Sequence, residues 1–435
     1  MVKKITVIGG GLAGAEAAWQ LLKRGIPVHL IEQRPTSSTP AHKTDKFAEL
    51  VCSNSLRADD PNKNAIGLLH EEMRRAGSLI LQAADKTKVP AGGALAVDRT
   101  LFSDFITQTL LSHPLLTFEQ READFPTDDH PTLIATGPLS SDKITAPLKD
   151  LTGEDLFHFF DALAPIVSTE SVDLNHAWYQ SRYDKGDGQD YLNCPLTKDE
   201  YTAFYQALTT AETVSFKEWE GEKQAYFEGC LPIEVMAARG FRTLLFGPMK
   251  PTGLSNPFED GRRPFAVVQL RKENTAGTMM NLVGFQTKLT YPEQKRVFRL
   301  IPALHDAEFM RLGAIHRNTF VCGPKVLDDR LRLKKRPSIT LAGQLTGCEG
   351  YVESAAIGFL AGLFMANPDA SLPPAETAFG ALLNHVTHSQ SPHFQPMNVH
   401  FGLFPELPEK TPDRKTALAA RAKEALGPWL EQIKP

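Results

Sequence analysis

The sequence predicts an α/β protein: a Rossmann-like dinucleotide domain interrupted by an inserted α+β domain. Three observations carry this. A strand, a glycine turn, a helix and a second strand ending on an acid fill the first thirty-odd residues. The pattern changes character from about Leu151 to Val321. Near Ser338 the first pattern resumes with another strand, glycine turn and helix.

The opening reads Ile5-Thr-Val-Ile-Gly9-Gly10-Gly11-Leu12-Ala13-Gly14. A run of mostly β-branched apolar residues suits a buried parallel strand. Gly9, Gly11 and Gly14 stand in the spacing Gly-x-Gly-x-x-Gly. Gly9 permits the tight turn, Gly11 lets backbone approach a pyrophosphate, and Gly14 lets the helix pack against the sheet. An alanine-rich helix over about Leu12–Lys23 presents its free N–H groups to that phosphate. Val28–Glu32 is the second strand, and Glu32 is placed to accept from an adenosine ribose. An acid there suits FAD or NAD and argues against a 2′-phosphate.

Next, 34–46 is a Pro/Ser/Thr-rich loop, and Phe47–Arg57 is an apolar segment running into turn formers, with Cys52 at the junction. Leu68–Ala84 reads as one helix. Val89–Val97 holds Pro-Ala-Gly-Gly-Ala, where little side-chain bulk keeps a ligand or another backbone away. Asp98–Leu111 is a helix with an apolar face at Leu101, Phe102, Phe105, Ile106 and Leu110. Thr132–Pro138 is a buried strand ending in Ala-Thr-Gly.

The expected division is 1–150 and 321–435 for the discontinuous domain and 151–320 for the insert. In the insert, Thr243–Phe246, Ala266–Leu270 and Leu282–Gln286 read as strands. Ser338–Gly347 then gives a strand and glycine turn, with Gly343 and Gln344 at the turn, and Tyr351–Met365 gives a helix with several small residues. This layout favours FAD over NAD. The tail from Phe404 ends in a peripheral helix.

Composition sets limits. No apolar run approaches the roughly 18 residues that cross a bilayer, and no leader precedes the first strand. A cytoplasmic protein is expected. A net charge of −4 gives no global case for nucleic acid, so such a partner needs a local basic patch. The five cysteines, Cys52, Cys194, Cys230, Cys322 and Cys348, include no Cys-x-x-Cys pair and no zinc spacing. No metal is expected, and each thiol read alone is an inert buried group.

The ordered segments identify more. Gly9–Trp19, Thr39–His42, Phe47–Leu56, Pro90–Arg99, Tyr191–Pro195, Glu228–Glu234, Leu245–Pro251, Gly284–Thr287, His316–Thr319 and Gly350–Ala356 run through nearly the whole chain to about Leu403. Together they resemble the folate- and FAD-dependent tRNA (uracil-5-)-methyltransferases of bacteria. The resemblance implies FAD in the glycine-rich domain, held by Gly9, Gly10, Gly11, Leu12, Ala13, Gly14, Glu32, Gly343, Gln344 and Tyr351. It implies 5,10-methylenetetrahydrofolate as one-carbon donor, electrons from NADPH or NADH, and C5 of a uridine in the T-loop of tRNA as acceptor.

That chemistry needs a reactive thiol, because uracil C5 is a poor nucleophile until a thiolate adds to C6. The resemblance points to Cys230 as this nucleophile. Cys52 is then a second active-site thiol, assisting proton removal at C5 or holding the flavin-bound one-carbon unit. The reverse assignment stays open. Cys194 is read as structural. Glu49 and Glu228 are candidate general bases, each more simply read as a solvated carboxylate. Tyr351 is placed to stack near the isoalloxazine. Gln344 stands where many flavoproteins place an aspartate on the ribityl chain.

Phosphate contacts are sought among Lys43, Lys46, Arg57, Lys250, Arg262, Arg263, Arg271, His316, Arg317 and the run Lys334-Lys335-Arg336, with Lys43, Lys250 and Arg317 foremost. Two alternatives stand beside this reading. One is the same chemistry on a ribosomal RNA uridine, and the other is a flavin oxidoreductase acting on a small metabolite. A larger flavoprotein family that modifies wobble uridines needs a longer chain.

Overall fold

The computed structural model describes residues 4–37, 39, 41–154, 157–184, 188–214, 231–391, 394–409 and 411–434, with all their side chains except those of 157–161, 184, 316 and 317. The first and last thirds of the chain share one six-stranded sheet. Its order is Arg332–Leu333, Arg336–Leu341, Thr132–Ile134, Ile5–Ile8, Val28–Glu32, Leu116–Gln120, parallel except for the short edge strand Arg332–Leu333. Ile5, Val7 and Ile8, like their neighbours Val28, Leu30 and Ile31, are fully or nearly buried. A central parallel strand covered on both faces needs such a run. The strand that resumes after the insert pairs with Thr132–Ile134, so the late third of the chain completes the sheet begun by the first.

Small residues in the late helix have a packing reason. Tyr351–Ala366 lies on Leu12–Lys23. A Cβ at Gly358 would stand 2.2 Å from the Ala13 carbonyl oxygen, and one at Gly362 2.6 Å from that of Ala17. Both are far inside van der Waals contact, so only glycine lets the two helices meet this closely.

The insert has its own six-stranded sheet, ordered Trp178–Tyr179, Leu192–Leu196, Ala266–Lys272, Met279–Leu282, Ile166–Ser168, Phe309–Arg311, and antiparallel throughout. Its core packs Leu192, Cys194, Val268 and Leu270 against Tyr201, Phe204 and Phe285. The antiparallel pair Phe157–Ala162 and Ile315–Phe320 lies in the two stretches that lead into and out of this sheet.

Three sequence expectations are corrected. Leu68–Ala84 is two helices, Ala65–Arg75 and Leu79–Lys86. The chain breaks at Gly77, whose φ of +76° is left-handed. Ser78 then caps the second helix by accepting from the Leu81 amide and donates to buried Glu16 at 2.6 Å. Thr243–Phe246 is a single 3₁₀ turn, closed by the Gly247 amide on the Leu244 carbonyl. Leu282–Gln286 is not a strand: the strand is Met279–Leu282, and the chain turns at Gly284 (φ +77°) where Pro248 crowds it. The C-terminal helix is present at Arg414–Gln432. No helix among the described residues is long and apolar enough to cross a membrane.

Candidate functional site

The glycine turn behaves as its spacing requires. Gly9 has φ +102°, and a Cβ there would lie 2.5 Å from the Ala135 carbonyl oxygen. A Cβ on Gly14 would lie 1.9 Å from the Gly9 carbonyl oxygen. Gly11 differs: a Cβ there meets no described atom within 4 Å. The protein does not need glycine at Gly11, so the open space belongs to something that comes close. Around it a cavity is lined by Leu12, Ala13, Glu32, Thr136, Ser140, Gly343 and Tyr351, among others. This cradle at a helix N-terminus fits a dinucleotide pyrophosphate, and FAD is the group it would hold.

Glu32 is at the cradle but is already engaged. Its carboxylate accepts from the Gly10 amide at 2.7 Å and from the Arg34 amide and Nε, both at 3.0 Å. Burial alone would raise this carboxyl; Arg34 and the Gly10 amide more than offset it and hold it below the ordinary range. Glu32 therefore braces the glycine loop from the wall of the cradle. Glu49 is neither solvated nor poised as a base. It accepts from the Lys43 and Thr44 amides at 2.8 and 3.0 Å and pairs with Arg34 at 3.3 Å. Gln344 donates to Glu349 at 2.8 Å.

The cradle opens into a second cleft of about 500 Å³, walled on one side by the first domain and on the other by the stretch between its two halves. Val51, Pro138, Leu139, Gln344 and Tyr351 line both parts, so the space is continuous. Cys52, Arg57 and Glu353 come from the first domain, and Leu163, Gln286 and Asn318 from the stretch between its two halves. Arg57 donates to buried Glu353 at 2.7 Å.

Cys52 sits in the most densely bonded segment of this cleft. Tyr351 Oη accepts from the Cys52 and Ser53 amides at 2.5 and 3.2 Å. The Cys52 carbonyl accepts from two guanidinium groups, Arg99 at 3.0 Å and Arg311 at 2.9 Å. Arg99 also donates to the Leu50 carbonyl, and Arg311 to that of Val51 at 3.0 Å. Arg271 holds Ser53 Oγ and Asn54 Oδ1 at 3.0 and 2.8 Å, while Asn54 Nδ2 donates to the Val97 and Lys272 carbonyls. Against this, the Cys52 sulfur makes a single weak hydrogen bond among the described residues, 3.9 Å to the Ala162 carbonyl. The backbone is fixed and the thiol is left to the cleft.

Arg99 is itself paired with buried Glu273 at 2.5 Å. Burial opposes its charge, but Glu273 outweighs this and holds the guanidinium above its ordinary value. Among the described residues Arg311 pairs with no carboxylate; burial and the facing Arg99 hold it below its ordinary value, and the nearby Glu273 offsets them only in part. Sequence reasoning missed Arg311, Glu273 and the role of Asn54. Arg99 was in view as the last residue of the Pro90–Arg99 segment, but nothing local says that it reaches back to Cys52.

Other expectations divide. Cys230 and Glu228 lie outside the described residues, as does the rest of 215–230. Just beyond them the Ile233 amide donates to the Gln286 carbonyl at 2.7 Å, and Gln286 lines the cleft. Cys194 and Cys348 are fully buried, and burial pushes both thiols up, which suits inert residues. Arg271 is a buried brace, not a phosphate contact. Lys46 pairs with Asp104 at 3.2 Å. Lys334 donates to the Pro324 and Lys325 carbonyls and Arg336 to those of Pro126 and Asp128, so both are engaged within the fold. Lys43 and Lys250 line neither part of the cleft, and the side chain of Arg317 lies outside the described set. No group of three His, Cys, Asp or Glu among the described residues is arranged to hold a metal.

Comparison with known proteins gives a consistent picture. The family model "Glucose inhibited division protein A" matches residues 4–369. The chain is 59% identical to a Methylenetetrahydrofolate--tRNA-(uracil-5-)-methyltransferase of Paramagnetospirillum magneticum, covering all of both chains. It is 56% identical to one from Zymomonas mobilis, over 99% of this chain and 98% of that one. Among solved structures, Aquifex aeolicus GidA superposes with a TM-score of 0.70 at 16% identity, over 98% of this chain and 74% of that one. That likeness speaks for the fold.

Proposed function

The chain belongs to the methylenetetrahydrofolate–tRNA-(uracil-5-)-methyltransferase family, and on that premise we propose that it methylates C5 of a T-loop uridine in tRNA. The one-carbon donor is 5,10-methylenetetrahydrofolate. One observation carries the reading beyond the relatives: a dinucleotide cradle opens directly into an interdomain cleft where a thiol faces the space on a fully braced backbone.

FAD, when bound in the cradle, supplies the electrons that reduce the one-carbon unit, replenished from NADPH or NADH. The residues that would hold it are those of the glycine turn with Glu32, Gly343, Gln344 and Tyr351. The chain's own chemistry is nucleophilic. A thiolate of Cys230 adds to uracil C6, forming the S–C6 bond and shifting the electron pair to make an enolate. C5 then bonds to the electrophilic one-carbon unit as the π bond joining that carbon to its carrier nitrogen breaks and its pair returns to the nitrogen. The remaining carbon–nitrogen bond breaks when a hydride equivalent drawn from NADPH or NADH reduces the unit to methyl. Loss of the C5 proton expels the thiolate and restores the ring. Cys52 is the second thiol, positioned to take the C5 proton or to hold the one-carbon unit. A T-loop uridine must leave its stack to reach the cleft, and Lys43, Lys250 and Arg317 are proposed phosphate contacts. We divide the chain for this purpose into 1–150 and 321–435, which carry the cofactor, and 151–320, which closes the cleft.

The test is direct. The yellow holoenzyme is incubated with unmodified tRNA transcript, methylenetetrahydrofolate and NADPH, and 5-methyluridine is sought by nucleoside mass spectrometry. Product on tRNA supports the reading. Product only on ribosomal RNA moves the substrate. A blank with both, from protein whose flavin is bound and reducible, overturns it.

A further inference from the structure

The segment Leu50–Asn54 is held from places far apart in the chain. Arg99 is 47 residues from Cys52, and Arg311, on an edge strand of the inserted sheet, is 259 residues away. Three guanidinium groups meet this segment, those of Arg99, Arg271 and Arg311, and among the described residues only Glu273 answers them with a carboxylate. Tying a loop to a neighbouring domain does not require this. Neutral donors would do it without gathering like charges in a half-buried place, which is costly unless each is paired. Arg311 even leaves its Nε without a partner among the described residues.

What distinguishes Arg99 and Arg311 from Arg271 is their target. Arg271 grips side chains. Arg99 and Arg311 grip the carbonyls of Leu50, Val51 and Cys52, and both converge on the last. Two charged donors on one oxygen, with Tyr351 taking the amides on the other side, leave the Cys52 backbone one orientation. A misplacement of about 1 Å at a reacting group is enough to lose much of its rate.

We propose that Arg99 and Arg311 are positioning residues for the Cys52 thiol, and that Arg311 makes the aim of that thiol depend on the docking of the inserted domain. This rests on the reading of Cys52 as an active-site thiol.

The experiment uses the full-length FAD-bound enzyme with Arg311→Gln and Arg311→Lys. It measures kcat, both KM values, flavin content and the rate of Cys52 alkylation by iodoacetamide, followed by peptide mass spectrometry. Asp59→Asn, outside the cleft, controls for lost stability alone. Arg311→Gln is expected to lower kcat at least tenfold, with both KM values and flavin content within twofold, and to change Cys52 alkylation at least threefold. Arg311→Lys recovers only part of kcat, because an ammonium cannot fork to two carbonyls. If Arg311→Gln keeps kcat within twofold, or raises KM for RNA at unchanged kcat, the proposal fails. It fails equally if Asp59→Asn loses as much kcat. Were wild type to make no 5-methyluridine, the methyltransferase reading would fall, while the alkylation rates would still decide whether Arg311 aims the thiol.

Discussion

The cradle and the thiol segment meet at Tyr351 but are built in opposite ways. The cradle's central turn is local: Gly9, Gly11 and Gly14 lie within six residues, and the neighbours that enforce Gly9 and Gly14 are the turn's own backbone and the adjacent strand end at Ala135. The thiol segment is assembled from afar, with Arg99, Arg271, Arg311 and Tyr351 arriving from four separate parts of the chain. The difference separates two tasks. A phosphate is bound by backbone N–H groups that a short motif can arrange. A reacting sulfur must be aimed, and aiming needs braces from more than one side.

The largest effect should come from chemistry alone. Cys52→Ala is expected to reduce 5-methyluridine formation by about a hundredfold or more, with flavin content and melting temperature unchanged, because its sulfur makes only one weak hydrogen bond and the braces hold the backbone, which alanine keeps. Loss of flavin in this variant would break the separation between cradle and thiol.

Next is the turn itself. Gly14→Ala forces a methyl to 1.9 Å from the Gly9 carbonyl oxygen and should destabilise the domain by about 3 kcal/mol, read by thermal melting, with flavin lost as well. Gly11→Ala sharpens the point. Its backbone, at φ −70° and ψ −171°, suits alanine, and the methyl meets no described atom. The flavin-free protein should melt unchanged, while FAD affinity falls about tenfold, or ~1.4 kcal/mol. A melting loss equal to that of Gly14→Ala would show that Gly11 serves the fold.

The smallest effect lies outside both regions. Asp59 accepts from His70 at 2.8 Å and from Arg74 at 2.9 and 3.1 Å. Burial alone would raise its carboxyl, but these partners outweigh it and hold it well below its ordinary 3.8. The folded state thus binds fewer protons than the unfolded one below about pH 4. The stabilisation is fully present above that value, declines below it and is lost as pH falls on through the lower value Asp59 has in the folded state. Asp59→Asn should cost about 1 kcal/mol at pH 7 after solvent screening, and the two proteins should converge near pH 2 in a urea titration. A gap that persists at low pH would mean that packing, not charge, is what Asp59 provides.

The break at Gly77-Ser78 shows why one helix was read where two exist. The apolar spacing continues across it and hides the local signal, a left-handed Gly77 followed by Ser78 capping the Leu81 amide, while the distant carboxylate of Glu16 fixes that cap in place. The turn at Gly284 has the same origin, since the residue that forbids a side chain there is Pro248. Among the basic residues, sequence offered both Arg271 and Lys43 as phosphate contacts, with Lys43 ahead. Burial made the first a brace, and left the second at the surface.

By itself the sequence determined the interrupted α/β plan, the glycine cradle and Cys52 as a residue to watch. These depend on periodicity, on backbone freedom at three glycines and on motif order, all of which are properties of neighbours in the chain. Tertiary structure alone decided that Glu32 braces the loop through Gly10, that Glu49 is tied down, and that Arg99 and Arg311 converge on one carbonyl. Such pairings form between residues up to 259 positions apart, and no local pattern encodes which buried charge will meet which oxygen.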